Sequence, residues 1–355
     1  MKTCSKPVPS FARRVIRYQR KHGRHDLPWQ HQRTPYRVWV SEIMLQQTQV
    51  ATVVPYFQRF MKEFPSVKRL AEAPLDAVLA CWSGLGYYAR ARHLHQAARI
   101  IRSSGGRLPR TVEDWMHLPG VGRSTAGAVV SLALDRPASM LDGNARRVIS
   151  RHQGVPSNSS ASLWRAAEQL LPGEDAALYT QGLMDLGSQC CTPRAPDCAR
   201  CPLSEDCDYA NRGPGKQPDR KRPQLPHRAA WVVIVQTENG EVLLRRRQTR
   251  GIWGGLWSLP EYPSRSAARR WARAYGETLE WHEEPSLTHR LSHLELRLHP
   301  LRVRIRNSTR REFQGDGRWF DPKRLTVGVA TPIMKLIRRE PMPETEVAPP
   351  CHEPL

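Results

Sequence analysis

Apolar positions recur at helical spacing from about Ser10 to Tyr209, and the period changes beyond residue 228. An amphipathic helix starts near Phe11. Thr34-Pro35 supplies a cap followed by proline at a first helical position, Ser66 supplies a second cap, and Thr111-Val112-Glu113-Asp114 reads as a capping box. Gly84-Leu85-Gly86, Ser104-Gly105-Gly106 and Gly154 separate helices. Past residue 228 the pattern is that of strands. Trp231 to Gln236, Glu238-Asn239-Gly240 and Val242 to Arg245 predict a β-hairpin with a primed turn. Leu294 to Arg306 alternates apolar and basic residues as a half-buried strand does, and Thr331 to Arg339 predicts a closing helix. An all-α domain is therefore followed by a smaller α+β domain.

Between them, residues 212–228 hold four prolines, six Lys/Arg and one acidic residue, the composition of an extended linker. The expected organisation is a helical domain over 1–211, the linker over 212–228, an α+β domain over 229–340 and a disordered tail over 341–355. A chain of 355 residues suffices for two cores. Its formal charge of +22, with 39% hydrophobic residues, places the excess charge on a folded surface that attracts polyanions. Nucleic acid is the first partner to consider; an anionic membrane or simple solubility are the plainer readings. No apolar run reaches the roughly 18 residues of a spanning helix, and the basic N-terminus lacks the apolar core of a secretory signal. No membrane partner is expected.

Two local patterns add chemistry. Leu118-Pro119-Gly120-Val121-Gly122 lies between a short helix (Val112 to His117) and an apolar one (Ser124 to Leu134). Gly120 and Gly122 let the backbone approach an anion, towards which the second helix aims its free N–H groups. Such a helix-hairpin-helix holds a DNA phosphate without reading sequence, whereas an ordinary αα-hairpin needs only one of the glycines. Cys190, Cys191, Cys198, Cys201 and Cys207 fall within eighteen residues, while Cys4, Cys81 and Cys351 are scattered. With only one close pair, the spacing of Cys191, Cys198, Cys201 and Cys207 suits a [4Fe-4S] cluster better than structural zinc. The loop over about 190–208 would hold it, Cys190 could replace Cys191, and Arg194 and Arg200 would lie near DNA.

SEIMLQQTQV, GLGYYARAR, LPGVGRSTAGAV, LDGNARRV and the four-cysteine loop together resemble the MutY family of adenine DNA glycosylases, within the endonuclease III superfamily. The likeness is close over about 11–209 and weaker across GIWGGLWSLPE and THRLSHLELRLHP. It implies base excision repair by a monomer in the bacterial cytoplasm, acting on double-stranded DNA with 8-oxoguanine:A or G:A mispairs.

Glu42 shares a helix face with Val38, Trp39 and Leu45, so its carboxyl group is dehydrated and its pKa raised, as a proton donor needs. A buried Glu paired with Arg is the plainer reading of that pattern; the resemblance makes Glu42 the catalytic acid. Asp142 opens the helix Gly143 to His152, where an N-cap is reason enough for an Asp, and helix N–H groups should keep it ionised. The resemblance makes it the carboxylate facing an oxocarbenium-like sugar, with Asn144 fixing the pocket. Bifunctional relatives carry lysine two residues after the second hairpin glycine; here that residue is Ser124, which implies a monofunctional enzyme rather than an endonuclease III-like glycosylase and lyase acting on oxidised pyrimidines. Gln47 and Tyr87 match residues that wedge into the duplex. Trp29, Leu45 and Gln181 match an adenine pocket in which Gln30 stands where some members have Arg.

The second domain resembles a Nudix fold. Gly255, Glu261, Arg269 and Gly276 fit the Nudix box, but Arg270, Arg273 and Ala274 stand where that box needs Glu, so a metal-dependent nucleotide pyrophosphatase is disfavoured. The resemblance assigns lesion reading to the loop His289 to His293, with Leu291 where members commonly have Phe, and Ser292 and His293 beside it. A non-catalytic DNA-binding module would need only the charge, the hairpin and the cysteines, leaving both carboxylates and Gln181 unexplained.

Overall fold

The computed structural model describes residues 10–213, 225–273, 277–306 and 317–339. Cys4, Cys351, Ala274, Gly276, the tail over 341–355 and most of the linker lie outside them. The chain divides into two compact units, Met1–Arg222 and Pro223–Leu355.

The first unit is helical among its described residues: α1 (Ser10–His22), α2 (Pro35–Leu45), α3 (Val50–Glu63), α4 (Val67–Glu72), α5 (Leu75–Trp82), α6 (Ala89–Ser103), α7 (Val112–Met116), α8 (Arg123–Leu134), α9 (Gly143–Gln153), α10 (Ser160–Gln169), α11 (Ala176–Gln189) and α12 (Asp208–Arg212). The caps work as their residue types dictate. Thr34 and Ser66 accept from the N–H groups of Arg37 (3.2 Å) and Arg69 (3.3 Å). Thr111 accepts from Asp114 N–H at 3.1 Å, but no return bond from the Asp114 side chain is found among the described residues, so the capping box is only half formed.

Helix α2 lies at the centre. Tyr36, Val38, Trp39, Val40, Ser41, Ile43 and Met44 are all buried, so it is enclosed on nearly every side rather than amphipathic, and it packs on α3, α6 and α8. Around it the large side chains Trp39, Trp82, Trp115, Phe57 and Phe60 are fully buried, each contributing roughly 1.5–3 kcal/mol of apolar burial. Asp135, at the left-handed end of α8, accepts from Ala177 N–H (2.8 Å) and ties α8 to the start of α11. Among the described residues no helix is long and apolar enough to cross a membrane.

The second unit is a mixed sheet. Its strands are β1 (His227–Thr237), β2 (Val242–Arg246), β3 (Trp257–Ser258), β4 (Glu261–Tyr262), β5 (Thr278–Glu283), β6 (Leu287–Arg290), β7 (Glu295–Ile305) and β8 (Gly317–Phe320), with helices α13 (Arg265–Ala272) and α14 (Thr331–Ile337). The principal order is β3-β2-β1-β7-β5, with β1 and β7 parallel from His227↔Glu295 to Thr237↔Ile305. Ala268 and Ala272 of α13 cover Val233, Val235, Leu301, Val303 and Ile305.

The turn between β1 and β2 is not a primed two-residue turn. Thr237 N–H donates to the Glu241 carbonyl (2.9 Å), Gly240 N–H closes on Thr237 (2.9 Å), and Gly240 alone takes positive φ (+84°). This is a three-residue loop with a left-handed glycine, so Asn239 never needs the left-handed region that a primed turn would impose.

Candidate active site

The C-terminal half of α2 carries Glu42, and α8, whose N-terminus follows the hairpin, packs against it. Gln46 Nε2 donates to Thr125 Oγ1 (3.2 Å), joining the two helices. Gly120 has φ +77° and its Cα approaches His93, so that a Cβ built there would lie 2.7 Å from the His93 Cβ; Gly122 caps α8. Two residues on, Ser124 Oγ accepts from Leu141 N–H (3.1 Å), which fixes the strand of backbone entering Asp142.

Glu42 is recessed but not sealed, and it makes no ion pair among the described residues, so the Arg-paired alternative is absent there. Burial, and secondarily the charge of Asp142, push its pKa up to about 8. Asp142 caps α9, accepting from Ala145 N–H (2.7 Å) and from Asn144 Nδ2 (3.3 Å). Asn144 in turn accepts from Arg147 Nη2 (2.7 Å). Capping was expected to hold Asp142 low; instead burial wins and its pKa is raised, with the Ala145, Asn144 and Arg147 interactions opposing the shift. The charge of Asp142 is felt at Glu42, so the two carboxyl groups lie near one another.

Other sequence-derived positions divide. Leu45 is half-buried at the end of α2, whereas Trp29 is buried with its ring edge-on to Phe57 (5.4 Å). Gln181 is buried on α11, donating through Nε2 to Asp185 Oδ1 (3.1 Å). Asp185 is fully buried and held by Arg24 through its backbone N–H (2.9 Å) and Nε (2.7 Å). This Arg24–Asp185 support escaped sequence reading because its partners are far apart in the chain. Both amide heavy atoms of Gln30 are inaccessible and find no partner among the described residues. Gln47 and Tyr87 are exposed, and both have positive φ, +57° and +48°.

Cys190, Cys191, Cys198, Cys201 and Cys207 line one cavity with Arg151, His152 and Tyr209. Among the described residues no three His, Cys, Asp or Glu side chains converge to hold a single ion. Cys191 Sγ accepts from Arg151 Nη1 (3.3 Å), while Cys190 Sγ donates to the Asp197 carbonyl (3.1 Å). The donor set and its common cavity fit a group larger than one ion. Arg200 is exposed and pairs with Asp197 (3.7 Å).

In the sheet unit, β6 and β7 form a hairpin closed by Leu291 N–H to the Leu294 carbonyl (2.8 Å), which leaves Ser292 and His293 exposed at its tip and Leu291 half-buried. Ser292 Oγ and His293 Nδ1 are 3.4 Å apart. His289, one strand residue before Arg290, faces Trp253 at 6.1 Å, and burial lowers its pKa. Glu261 is clamped by Arg228 (2.7 Å) and Arg247 (2.8 Å), and Arg269 and Arg273 stack over Trp281 at 4.7 and 5.3 Å.

Residues 40–172 match the family model of HhH-GPD superfamily base excision DNA repair proteins, and residues 230–339 match a NUDIX domain. The chain is 32% identical over 341 residues to the adenine DNA glycosylase of Buchnera aphidicola from Schizaphis graminum, covering 92% of this chain and 97% of that one. It is 31% identical to the human adenine DNA glycosylase, over 89% of this chain and 71% of that one. Among solved structures, a thermostable thymine-DNA glycosylase is similar at 32% identity and TM-score 0.54, across 57% of this chain and 96% of its own. An endonuclease III–DNA complex shares the helical fold at 22% identity and TM-score 0.50, across 57% of this chain and 94% of its own.

Proposed function

Since the chain belongs to the adenine DNA glycosylase family, we propose that it removes adenine mispaired with 8-oxoguanine or guanine by hydrolysing the N-glycosidic bond, as a monofunctional enzyme of base excision repair. It works as a monomer on double-stranded DNA in the cytoplasm. The observation that carries the chemistry is Glu42: a recessed carboxyl group, without a cationic partner among the described residues and with its pKa near 8, stays protonated at neutral pH beside a second carboxylate.

Gly120, Gly122 and the start of α8 hold the backbone, while Gln47 and Tyr87 occupy the space that the extruded adenine leaves. Trp29 and Leu45 wall the adenine pocket. Asp185 orients Gln181 by accepting from Nε2, leaving Oε1 to accept from the adenine amino group. Glu42 donates its proton to adenine N7; the C1′–N9 bond breaks with its electron pair leaving on the base. Asp142, fixed by Asn144 and Arg147, stabilises the oxocarbenium-like sugar. Water then adds to C1′ as Glu42 takes up its proton, which restores the acid.

Cys191, Cys198, Cys201 and Cys207 would hold a [4Fe-4S] cluster, with Cys190, on the same cavity, the alternative to Cys191. When bound, that group braces the loop and supplies no step at the base. The hairpin tip Leu291, Ser292 and His293 reads 8-oxoguanine.

Ser124, engaged with Leu141 N–H, offers no amine, which favours hydrolysis over the lyase reading. An 8-oxoguanine:A duplex treated with the protein should show a break at the adenine only after hot alkali. A break without alkali, or a borohydride-trapped imine, would contradict the monofunctional assignment.

A further inference from the structure

Arg90, near the start of α6, is 9% exposed and has no carboxylate partner among the described residues. Its guanidinium is spent on backbone instead. Nη1 donates to the carbonyls of Ile43 (3.0 Å), Met44 (2.7 Å) and Gln46 (2.5 Å), the free acceptors at the end of α2. Nη2 donates to Thr48 Oγ1 (3.1 Å) and to the Gly86 carbonyl (3.3 Å). The Arg90 backbone N–H donates to the Tyr87 carbonyl (2.9 Å), and the guanidinium lies 5.3 Å from the Tyr87 ring and 5.5 Å from that of Trp82.

These contacts bracket two residues. Gln46 and Thr48 flank Gln47, while Gly86 precedes Tyr87; Gln47 and Tyr87 are the exposed, left-handed non-glycine residues of the two loops. Left-handed backbone is unfavourable for side chains of their size and persists only where surrounding contacts over-determine it. One buried cation supplies those contacts to both loops, and burial lowers its own pKa to about 10 without discharging it at neutral pH.

We propose that Arg90 is a positioning residue for base extrusion: it locks Gln47 and Tyr87 together in the protruding geometry that enters the duplex, while the chemistry at Glu42 proceeds without it. This rests on the reading of Gln47 and Tyr87 as wedge residues. A lysine offers one ammonium in place of a planar fork and cannot span both loops, so Arg90→Lys is deficient as well as Arg90→Met.

The test uses the full-length protein under single-turnover conditions with two duplexes: one with adenine opposite guanine, and one with adenine opposite an abasic analogue and beside a second one, where extrusion costs little. Thermal melting is followed alongside. Arg90→Lys and Arg90→Met should lose about ten- to a hundredfold on the first duplex and recover to within about threefold of the parent on the second. Gln47→Ala and Tyr87→Ala should behave the same way. Equal losses on both duplexes, or none, for the Arg90 variants while the wedge variants remain selective would overturn the role of Arg90 alone. Absence of selectivity in Gln47→Ala and Tyr87→Ala would overturn the wedge reading, and the proposal with it.

Discussion

Glu42 and Glu261 are both partly buried carboxyl groups, one in each unit, and they are treated oppositely. Glu261 sits between Arg228 and Arg247 at 2.7 and 2.8 Å, which fixes it as a charged strut. Glu42 sits recessed on the otherwise largely apolar α2, has no such partner among the described residues, and is pushed to about 8. Pairing consumes a carboxylate; burial without pairing turns it into an acid. The same contrast separates the two units. In the sheet unit Arg270 and Arg273 stand where the Nudix pattern needs metal-binding carboxylates, whereas in the helical unit the charge of Asp142 is felt at Glu42.

The sharpest way to break this comparison is Glu42→Gln. Excision from a G:A duplex should fall by about 10²–10⁴-fold or more under single-turnover conditions, with binding of the same duplex within about threefold of the parent. Loss of binding in step with activity would return Glu42 to a structural role. The same variant carries a stability prediction of unusual sign. A carboxyl group whose folded pKa is raised favours the fold when protonated, so its contribution is complete below about 4.5 and is lost progressively as pH rises towards 8. A neutral amide escapes that loss. Glu42→Gln should therefore be more stable than the parent by about 1–3 kcal/mol at pH 7, and no more stable at pH 4.

A pH profile sharpens the comparison further. If Glu42 must begin protonated, the parent's single-turnover rate is level from pH 6 to 7 and declines through about 8, approaching a tenfold loss per unit beyond it. A profile still level at pH 9 would show that the proton comes from elsewhere.

What could be read before folding follows from range. The caps Thr34, Ser66 and Thr111 act on N–H groups three residues away, and each is visible in sequence. Asp142 was legible as a cap for the same reason. Its raised pKa was not, since that depends on what α2 and α8 pack around it. The parallel pairing of β1 with β7 joins segments about 68 residues apart, and no local pattern announces it. Arg90 lies within GLGYYARAR, yet its acceptors are mostly more than 40 residues distant. The Arg24–Asp185 pair spans 161 residues. The Asn239-Gly240 turn failed differently: the dipeptide favours a two-residue primed loop, but closure at Thr237 and Glu241 adds a residue and only the glycine turns left-handed.

The smallest effect is expected at the other carboxylate. Glu261→Gln removes the charge between Arg228 and Arg247, whose side chains are 53% and 23% exposed and so keep water as a substitute partner. Its cost is about 1 kcal/mol in thermal or urea unfolding rather than the several expected for a sealed pair. Excision from G:A should stay within about twofold, because Glu261 belongs to the sheet unit and its carboxylate is already taken up by Arg228 and Arg247. If Glu261→Gln instead matched Glu42→Gln in abolishing excision, the division between a paired strut and an unpaired acid would fail, since a charged clamp would then be as necessary to the reaction as the proton donor.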